Sequence, residues 1–198
     1  VLFDMQSEQF TSVKSFSKSG NSLLSNNIKG LFEDNSGTIW VATTMGLAKL
    51  DRFRKPIDIT LVANSEREEL IYDVKRISER EFWMATENGI IISDEDFREL
   101  RRLGHETGLS HSVIRKIYKD TDGRIWVATN NGISLYNNKT DRFIEVQSPE
   151  TIFKYVYDIK EDRQGRIITN TPNGICRITV PDNPERDMDY ENIDISRY

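Results

Sequence analysis

The sequence has a single cysteine and only two histidines among its 198 residues, so it is poor in the side chains that build most metal and redox sites. Cys176 lies in an apolar run and has no second cysteine with which to form an intrachain disulfide. His105 and His111 share one loop without a cysteine or a paired carboxylate, which is poor spacing for metal ligands. We therefore expect no metal and no cofactor.

Long hydrophobic runs and an excess of basic charge are also missing. No apolar run approaches the ~18 residues that cross a membrane as a helix, and no signal peptide precedes the first strand-like segment. The net charge of −5 gives the chain no overall basic field of the kind that nucleic-acid binding requires. Glycines occur singly in turns, so no phosphate-binding loop is present. Because the chain starts at Val1, we expect a piece of a longer polypeptide.

One motif is repeated four times along the chain. Its clearest copy, residues 120–136, joins a turn ending in Gly123 to an apolar run around Trp126. An Asn131-Gly132 turn and a second apolar run follow, which is a strong hairpin signal. The copies place Trp40, Trp83, Trp126 and Ile168 in one position, at spacings of 43, 43 and 42 residues. A fixed period of this length, made of short strands and turns, predicts the blades of a β-propeller.

The predicted fold is all-β, with propeller blades of four antiparallel strands and about four and a half repeats of 42–43 residues, hence a partial propeller. Residues 1–10 align with residues 134–143, so the chain should begin in the middle of a blade. We expect the second half of a blade in residues 1–23. Whole blades should follow at 24–66, 67–108, 109–151 and 152–198.

The first strand of each blade is predicted at Ile28–Glu33, Ile71–Arg76, Ile114–Lys119 and Val156–Glu161. Each keeps two apolar residues three positions apart, such as Ile114 and Ile117, which a regular strand would place on opposite faces. The fourth strands are expected near Ile57–Val62, Phe97–Leu103, Phe143–Val146 and Tyr190–Ile195. Residues 94–103 also fit a short helix, because their apolar residues fall at helical spacing.

An Asp-x-x-Gly turn precedes the second strand at residues 34–37, 120–123 and 162–165. The Asp side chain can accept backbone amides, and the Gly takes a positive φ. The second copy has Ile77 and Arg80 in these places, so Arg80 should be strained or the turn reshaped. The tryptophan of each second strand should be a main core contact, and the fourth copy, with Ile168, should be the weakest.

Residues 113–133 resemble the two-component regulator propeller repeat. Their sequence is Val-Ile-Arg-Lys-Ile-Tyr-Lys-Asp-Thr-Asp-Gly-Arg-Ile-Trp-Val-Ala-Thr-Asn-Asn-Gly-Ile. Residues 24–51 and 109–136 are the closest copies. The copy at 70–93 lacks the Asp-x-x-Gly turn, and the copy at 156–178 lacks the tryptophan.

This resemblance implies a non-enzymatic periplasmic sensor region of a Bacteroides-type hybrid two-component histidine kinase. In such proteins two propellers and an immunoglobulin-like domain precede a membrane helix and the kinase, and the usual signals are glycan fragments. The resemblance therefore implies an oligosaccharide ligand and neighbouring propeller and immunoglobulin-like domains as partners. A homodimer is a further possible partner, because the incomplete number of blades leaves open sheet edges. No kinase motif, membrane helix or DNA-binding region lies in the sequence itself.

Ligands of propellers often bind on the face made by the loops between repeats and the tight turns. The residues expected there as ligand contacts are Asn27, His111, Ser112, Asn131, Tyr155 and Tyr157. A second set of polar residues lies in the middle of the first strands and could line a central channel: Asp73, Lys116 and Asp158. No catalytic residue is predicted.

Two other functions stay open from the sequence. The incomplete number of blades fits an interaction scaffold, whose open sheets and unpaired edges could join two chains. A propeller lyase has broadly similar repeats, but it would need a metal or a histidine in the channel, which the positions of His105 and His111 do not favour.

Overall fold

A computed structural model describes residues 2–4, 9–11, 23, 25–33, 37–50, 58–60, 69–146, 154–180 and 189–193. The chain divides into two compact units, Val1–Ile71 and Tyr72–Tyr198. Antiparallel β-sheets make up both units. Within the described ranges the one helical element is a three-residue 3-10 helix, His105–Thr107.

The first unit contains a two-stranded sheet and a four-stranded sheet. The strands of the small sheet are β1 (Leu2–Asp4) and β2 (Gln9–Thr11). The strands of the larger sheet, in spatial order, are β3 (Ile28–Glu33), β4 (Ile39–Thr43), β5 (Gly46–Leu50) and β6 (Asp58–Thr60).

The second unit contains three four-stranded sheets, each with its strands in chain order. The strand β7 (Ile71–Arg76), whose first residue ends the first unit, opens the first of these sheets. The remaining strands of that sheet are β8 (Phe82–Thr86), β9 (Gly89–Ser93) and β10 (Glu99–Leu103). The next sheet consists of β11 (Ile114–Lys119), β12 (Ile125–Thr129), β13 (Gly132–Asn137) and β14 (Arg142–Glu145). The last sheet consists of β15 (Asp158–Glu161), β16 (Ile167–Thr171), β17 (Gly174–Thr179) and β18 (Asp189–Ile193).

The predicted all-β fold of four-stranded antiparallel blades is confirmed. Three of the four first strands have the predicted bounds, and the fourth begins at Asp158 instead of Val156. The strand interpretation of residues 94–103 is also confirmed over the helical alternative. Asp94 makes a turn there by accepting the Arg98 amide at 2.8 Å, and β10 follows. The predicted fourth strands at 57–62 and 190–195 are described only at residues 58–60 and 190–193.

The expectation that the two apolar columns of the first strands point to opposite faces is wrong. Ile114 and Ile117 lie in one core cluster, because a β-bulge separates them. Ile114 is opposite Thr129 and Lys116 is opposite Ala128, which leaves Arg115 as the extra residue. An extra residue shifts the alternation by one position, so residues three apart share a face. The sheet of the first unit has the same shift, between Ile28 and Gly30.

The Asp-x-x-Gly turns form as predicted where they are described. Asp162 accepts the Gln164 amide at 2.9 Å and the Arg166 amide at 3.0 Å, and Gly165 has φ 76°. Gly123 and Gly37 also have positive φ, at 81° and 79°. Asp34 of the first turn lies outside the described residues. These bonds fix the hairpin between the first and second strands.

In the second repeat the turn is reshaped and not strained. Arg80 does not have a positive φ, and its amide donates to the Ser78 hydroxyl at 3.4 Å. The acceptor for the tryptophan indole changes as well. Trp83 Nε1 donates to Glu81 at 2.5 Å, whereas Trp126 Nε1 donates to the turn residue Asp120 at 2.8 Å. A carboxylate is thus retained for the buried indole although the Asp of the turn is lost.

The sheets of the second unit pack face to face through two apolar clusters. In the first cluster Trp83 of β8 packs with residues of the following sheet, including Ile117 and Phe143. In the second cluster Trp126 of β12 packs in the same way with Ile159 and Ile167. Trp83 and Trp126 are both almost fully buried. Each tryptophan therefore joins its own sheet to the next one along the chain, which is the packing expected of consecutive propeller blades.

Candidate functional site

The tight turns of the second unit lie against the loops that lead into the following sheet. The Gly89 amide donates to the Ser112 carbonyl at 2.7 Å, which joins the β8–β9 turn to the loop before β11. The Tyr155 amide donates to the Asn130 carbonyl at 3.1 Å, which joins the β12–β13 turn to the loop before β15. We call the surface formed by residues 86–89, 110–113, 129–132, 154–157 and 170–174 the turn face.

The turn expected at Asn131-Gly132 differs by one residue from the prediction. Thr129 pairs with Gly132, so the two loop residues are Asn130 and Asn131, and neither has a positive φ. The Thr129 hydroxyl closes the turn, because it accepts the Asn131 amide at 2.9 Å and donates to the Gly132 carbonyl at 3.1 Å. The same pair of bonds occurs in all four repeats, at Thr43, Thr86, Thr129 and Thr171. The Thr that recurs at the end of each second strand is the feature of the sequence that indicates this hydroxyl-closed turn.

At the edge of the turn face an arginine stacks on a tyrosine of the preceding sheet. The Arg115 guanidinium lies 4.7 Å from the centre of the Tyr72 ring, within the range of a cation–π contact. Its Nε donates to the Asn130 side chain at 2.7 Å. Arg115 is the residue that the β-bulge adds, so the bulge directs its side chain out of the regular alternation. Neither Tyr72 nor Arg115 was predicted from the sequence as a site residue.

Three residues occupy equivalent positions at the start of consecutive first strands: Tyr72, Arg115 and Tyr157. We call them the upper row. Tyr157 is half exposed, and its amide donates to the Asn170 carbonyl at 3.2 Å. Aromatic rings and a guanidinium plane beside amide side chains can stack on a flat ligand and hydrogen-bond to its polar edge.

The predicted contact residues Tyr155 and Asn131 lie together on the turn face. Asn131 is exposed and bridges to Lys154 in an antiparallel β-bridge. Tyr155 is 49% exposed and has φ 53°, a left-handed conformation that is uncommon for a residue with a side chain. Backbone strain at an exposed aromatic residue is often associated with a binding role.

The other predicted contacts have backbone or loop roles. His111 is half-buried, and its Nδ1 accepts the Val113 amide at 2.9 Å. Ser112 uses its carbonyl to hold Gly89. Asn27 belongs to the first unit, where it is exposed and accepts the Thr44 amide at 3.2 Å. Five of the six predicted contacts therefore belong to the turn face: His111, Ser112, Asn131, Tyr155 and Tyr157.

The residues predicted to line a channel mainly join neighbouring first strands. Asp73 lies within 3.0 Å of Lys116 Nζ and accepts the Ile117 amide at 3.0 Å. This carboxylate is buried, and burial raises the pKa of Asp73 above its ordinary value of 3.8. Asp158 accepts the Ile159 amide at 3.0 Å. Asp73 thus ties β7 to β11, and Asp158 satisfies the corresponding amide of β15.

Catalytic and metal chemistry finds little support among the described residues. No group of three or more His, Cys, Asp or Glu residues in the described ranges could hold a metal ion. His105 is exposed in the 3-10 helix, and Cys176 is buried in the core. No helix in the described part of the chain is long and apolar enough to cross a membrane.

Comparison with solved structures identifies the fold. The extracellular domains assigned to the hybrid two component systems BT3049 and BT4673 of B. thetaiotaomicron are both 21% identical to this chain, with TM-scores of 0.75 and 0.74. The alignment with BT3049 covers 88% of this chain and 23% of that domain, and the alignment with BT4673 covers 91% and 26%. This chain therefore spans about a quarter of the length of each. Virginiamycin B lyase from Staphylococcus aureus is similar at 16% identity and a TM-score of 0.64, over 84% of this chain and 55% of the lyase.

No curated protein matches the sequence significantly. A family model does match it twice, at residues 22–45 and 108–131, and its description is "two component regulator propeller". The two matches include the Trp40 hairpin and the Trp126 hairpin, which are the two closest copies of the motif. This chain is thus a segment of β-propeller in which two stretches match the two component regulator propeller model.

Proposed function

We propose that the chain is a non-enzymatic sensor segment of a hybrid two-component histidine kinase, located in the periplasm as part of an inner-membrane protein. It binds a glycan fragment on the turn face and passes the signal through neighbouring propeller and immunoglobulin-like domains to a kinase elsewhere in the polypeptide. The observation that carries this proposal is the upper row, where Arg115 stacks on Tyr72 and is held by Asn130 beside two half-exposed tyrosines.

The chemistry of the turn face suits a sugar. The exposed rings of Tyr155 and Tyr157 present the flat apolar surface on which a pyranose ring can stack. Asn130, Asn131 and Asn170 supply amide groups that can donate to and accept from hydroxyls. The match to the regulator propeller repeat and the likeness to extracellular sensor domains favour a sensing role over catalysis.

The test is calorimetric titration of the purified chain with disaccharides, together with mass spectrometry of the recovered sugar. We expect binding in the micromolar to millimolar range, with the sugar recovered unchanged. Tyr155→Ala should weaken binding about fivefold or more, because it removes a stacking surface. Leu100→Ala is the matched control, since Leu100 is also exposed but lies on β10 away from the turn face.

Two results would contradict this proposal. The first is the absence of binding for every sugar tested. The second is a reaction product that disappears on a single substitution, which would support the lyase alternative suggested by the structural likeness to virginiamycin B lyase.

A second candidate function, an interaction scaffold, is favoured by an exposed apolar edge in the first unit. Leu31 is 70% exposed and Ile28 is 43% exposed, whereas their counterparts Ile117 and Ile114 are buried. The neighbouring positions Val41 and Ala48 of the same sheet are buried, so the exposed apolar side chains of its strands are those on the first strand, β3, and Met45 is exposed in the β4–β5 turn. This strand would pack against a second copy of the chain.

Sedimentation analysis distinguishes the scaffold from the monomeric sensor. The scaffold predicts a dimer that dissociates in the Leu31→Asp variant without loss of folding, since this side chain is exposed in the single chain. A wild-type chain that remains monomeric at high concentration would contradict the scaffold function and leave the sensor proposal unaffected.

A further inference from the structure

The three first strands of the second unit carry an excess of positive charge that the rest of the chain does not share. The strands β7, β11 and β15 contain six basic residues and three acidic residues, while the whole chain has a net charge of −5. The basic residues are Lys75, Arg76, Arg115, Lys116, Lys119 and Lys160. The acidic residues are Asp73, Asp158 and Glu161.

All three acidic side chains are occupied by other partners. Asp73 accepts from Lys116 and from the Ile117 amide. One oxygen of Asp158 accepts the Ile159 amide, and both oxygens of Glu161 accept from Thr121. Of the six cations only Lys116 has a carboxylate within ion-pair distance among the described residues, and six cations against three carboxylates leave the three strands with a net charge of +3.

Three cations have N–H groups that donate no hydrogen bond to an oxygen atom of the described residues. Lys75 contacts the ring of Tyr118 at 5.7 Å and has no oxygen acceptor within the described ranges. Lys160 is exposed and likewise has no ion-pair partner in the described ranges. Arg115 uses its Nε on Asn130, which leaves both terminal nitrogens of the guanidinium available.

Two of these cations, Lys75 and Lys160, are near one another in space. Lys75, Tyr118 and Lys160 occupy equivalent positions on consecutive first strands, and we call them the lower row. Burial lowers the pKa of Lys75, the nearby carboxylate of Asp73 opposes that shift, and the like charges of Lys116, Lys160 and Lys119 add to the lowering. Like charges gathered on half-buried strands repel each other, and a bound anion would relieve this repulsion.

The upper row and the lower row follow the same three first strands, with Tyr157 directly before the first residue of β15. Arg115 and Tyr118 are three residues apart on β11, so the two rows are separated by at most about 10 Å at ~3.3 Å per residue. A short oligosaccharide can therefore reach both rows at once. One sugar ring would stack on the tyrosines of the turn face while a charged substituent meets the lysines.

We propose that the first strands of the second unit form an anion-binding site, with Arg115, Lys75 and Lys160 as its cations, and that the glycan sensed by the chain is acidic. This proposal rests on the proposed function and specifies its ligand class as a sugar bearing a carboxylate or a sulfate. Arg115 pairs with the anionic group by the fork of its terminal nitrogens, and the lysines act as point charges.

The experiment is a calorimetric comparison of four probes on the 198-residue chain: digalacturonate, neutral digalactose, a monosulfated disaccharide and sodium sulfate. An acidic disaccharide should bind at least about tenfold more tightly than digalactose, since a partly desolvated ion pair adds to the shared sugar contacts. Its affinity should fall steeply between low and high salt. The digalacturonate and sulfated arms distinguish the two possible anionic groups.

Substitutions locate the site. Lys160→Gln should lower the affinity for the acidic disaccharide about three- to tenfold and leave that for digalactose unchanged. Lys139→Gln is the matched control, because it removes the same charge from an exposed turn outside the first strands. Lys160 is exposed, so its substitution does not threaten folding. Lys75→Gln gives a second, independent variant.

The outcomes separate this inference from the function on which it rests. Equal affinity for digalactose and the acidic disaccharides would overturn the acidic ligand class alone and leave a neutral-glycan sensor standing. No binding of any disaccharide would overturn both proposals. If sodium sulfate binds as tightly as the sulfated disaccharide, the site binds an ion without recognising the sugar, and the inference is contradicted. Equal effects of Lys160→Gln and Lys139→Gln on the affinity for the acidic disaccharide would contradict it as well.

Discussion

Replacement of Asp120 by Ala should strongly destabilise the second unit. The Asp120 side chain is fully buried. It accepts the Arg124 amide at 2.8 Å, Arg124 Nε at 2.6 Å and Trp126 Nε1 at 2.8 Å. One carboxylate therefore fixes the hairpin turn and also satisfies the indole at the centre of a core cluster.

The magnitude follows from the groups that the substitution leaves without a partner. Trp126 is fully buried, so its indole N–H would lose its acceptor where water does not reach, at a cost of about 1–3 kcal/mol. The turn bonds to Arg124 are charge-assisted and add to this loss. The total is about 3–5 kcal/mol, comparable to the loss when one partner of a buried ion pair is removed. For a chain of this length the melting temperature should fall by roughly 10 °C or more.

The fourth repeat provides a matched control. Asp162 makes the same bonds to Arg166, at 3.0 Å to the amide and 2.7 Å to Nε, but position 168 holds Ile and no indole. Its side chain is also 20% exposed. Asp162→Ala should therefore destabilise the chain much less than Asp120→Ala.

The assay is urea unfolding followed by tryptophan fluorescence and circular dichroism, with linear extrapolation to water. The free energies of unfolding of the two variants are then compared with that of the unsubstituted chain. An equal loss in the two variants would refute the reasoning, because it would mean that the indole bond of Asp120 contributes nothing.

Two further predictions concern backbone space and pH. Gly174→Ala should lower the free energy of unfolding by about 1–3 kcal/mol, because Gly174 has φ 122° in otherwise open space. Gly89→Ala should lower it clearly more, since a Cβ there would lie 2.3 Å from a backbone oxygen. Thermal melts of both variants test this order. Burial lowers the pKa of Lys75 from 10.5, so the folded state holds fewer protons than the unfolded state between the lowered pKa and 10.5, and stability should rise with pH through that window. Lys75→Met should remove this rise, and an unchanged pH dependence of unfolding would contradict the assignment.

The sequence predicted the strands well because the repeat supplies four aligned readings of the same pattern. The recurrent Trp-x-Ala-Thr segment and the glycine after each turn located β4, β8, β12 and their partners to within a residue or two. The bulge at Arg115 was not predictable in this way, since a bulge is a property of pairing between two strands and leaves no fixed residue type behind. The bulge at Arg115 places Ile114 and Ile117 on the same face of the sheet.

The candidate site was harder to predict than the fold. Tyr155 and Asn131 were found because they fall in loops where propellers commonly bind ligands. Arg115 and Tyr72 were missed because their contact joins two repeats 43 residues apart, at a position whose residue type changes from copy to copy. The pairing of Asp73 with Lys116 was missed for the same reason.

The central claim is that consecutive sheets of the second unit pack face to face, because this packing aligns the first strands and their binding groups. A double-mutant cycle between Trp83 of β8 and Phe143 of β14 tests it most directly, since their ring centres are 6.4 Å apart across two sheets. With Trp83→Leu and Phe143→Leu, singly and combined, we predict a coupling energy of about 0.5–1.5 kcal/mol in the free energy of unfolding. Strictly additive losses would contradict the packing, and with it the alignment of the rows on which the proposed functions depend.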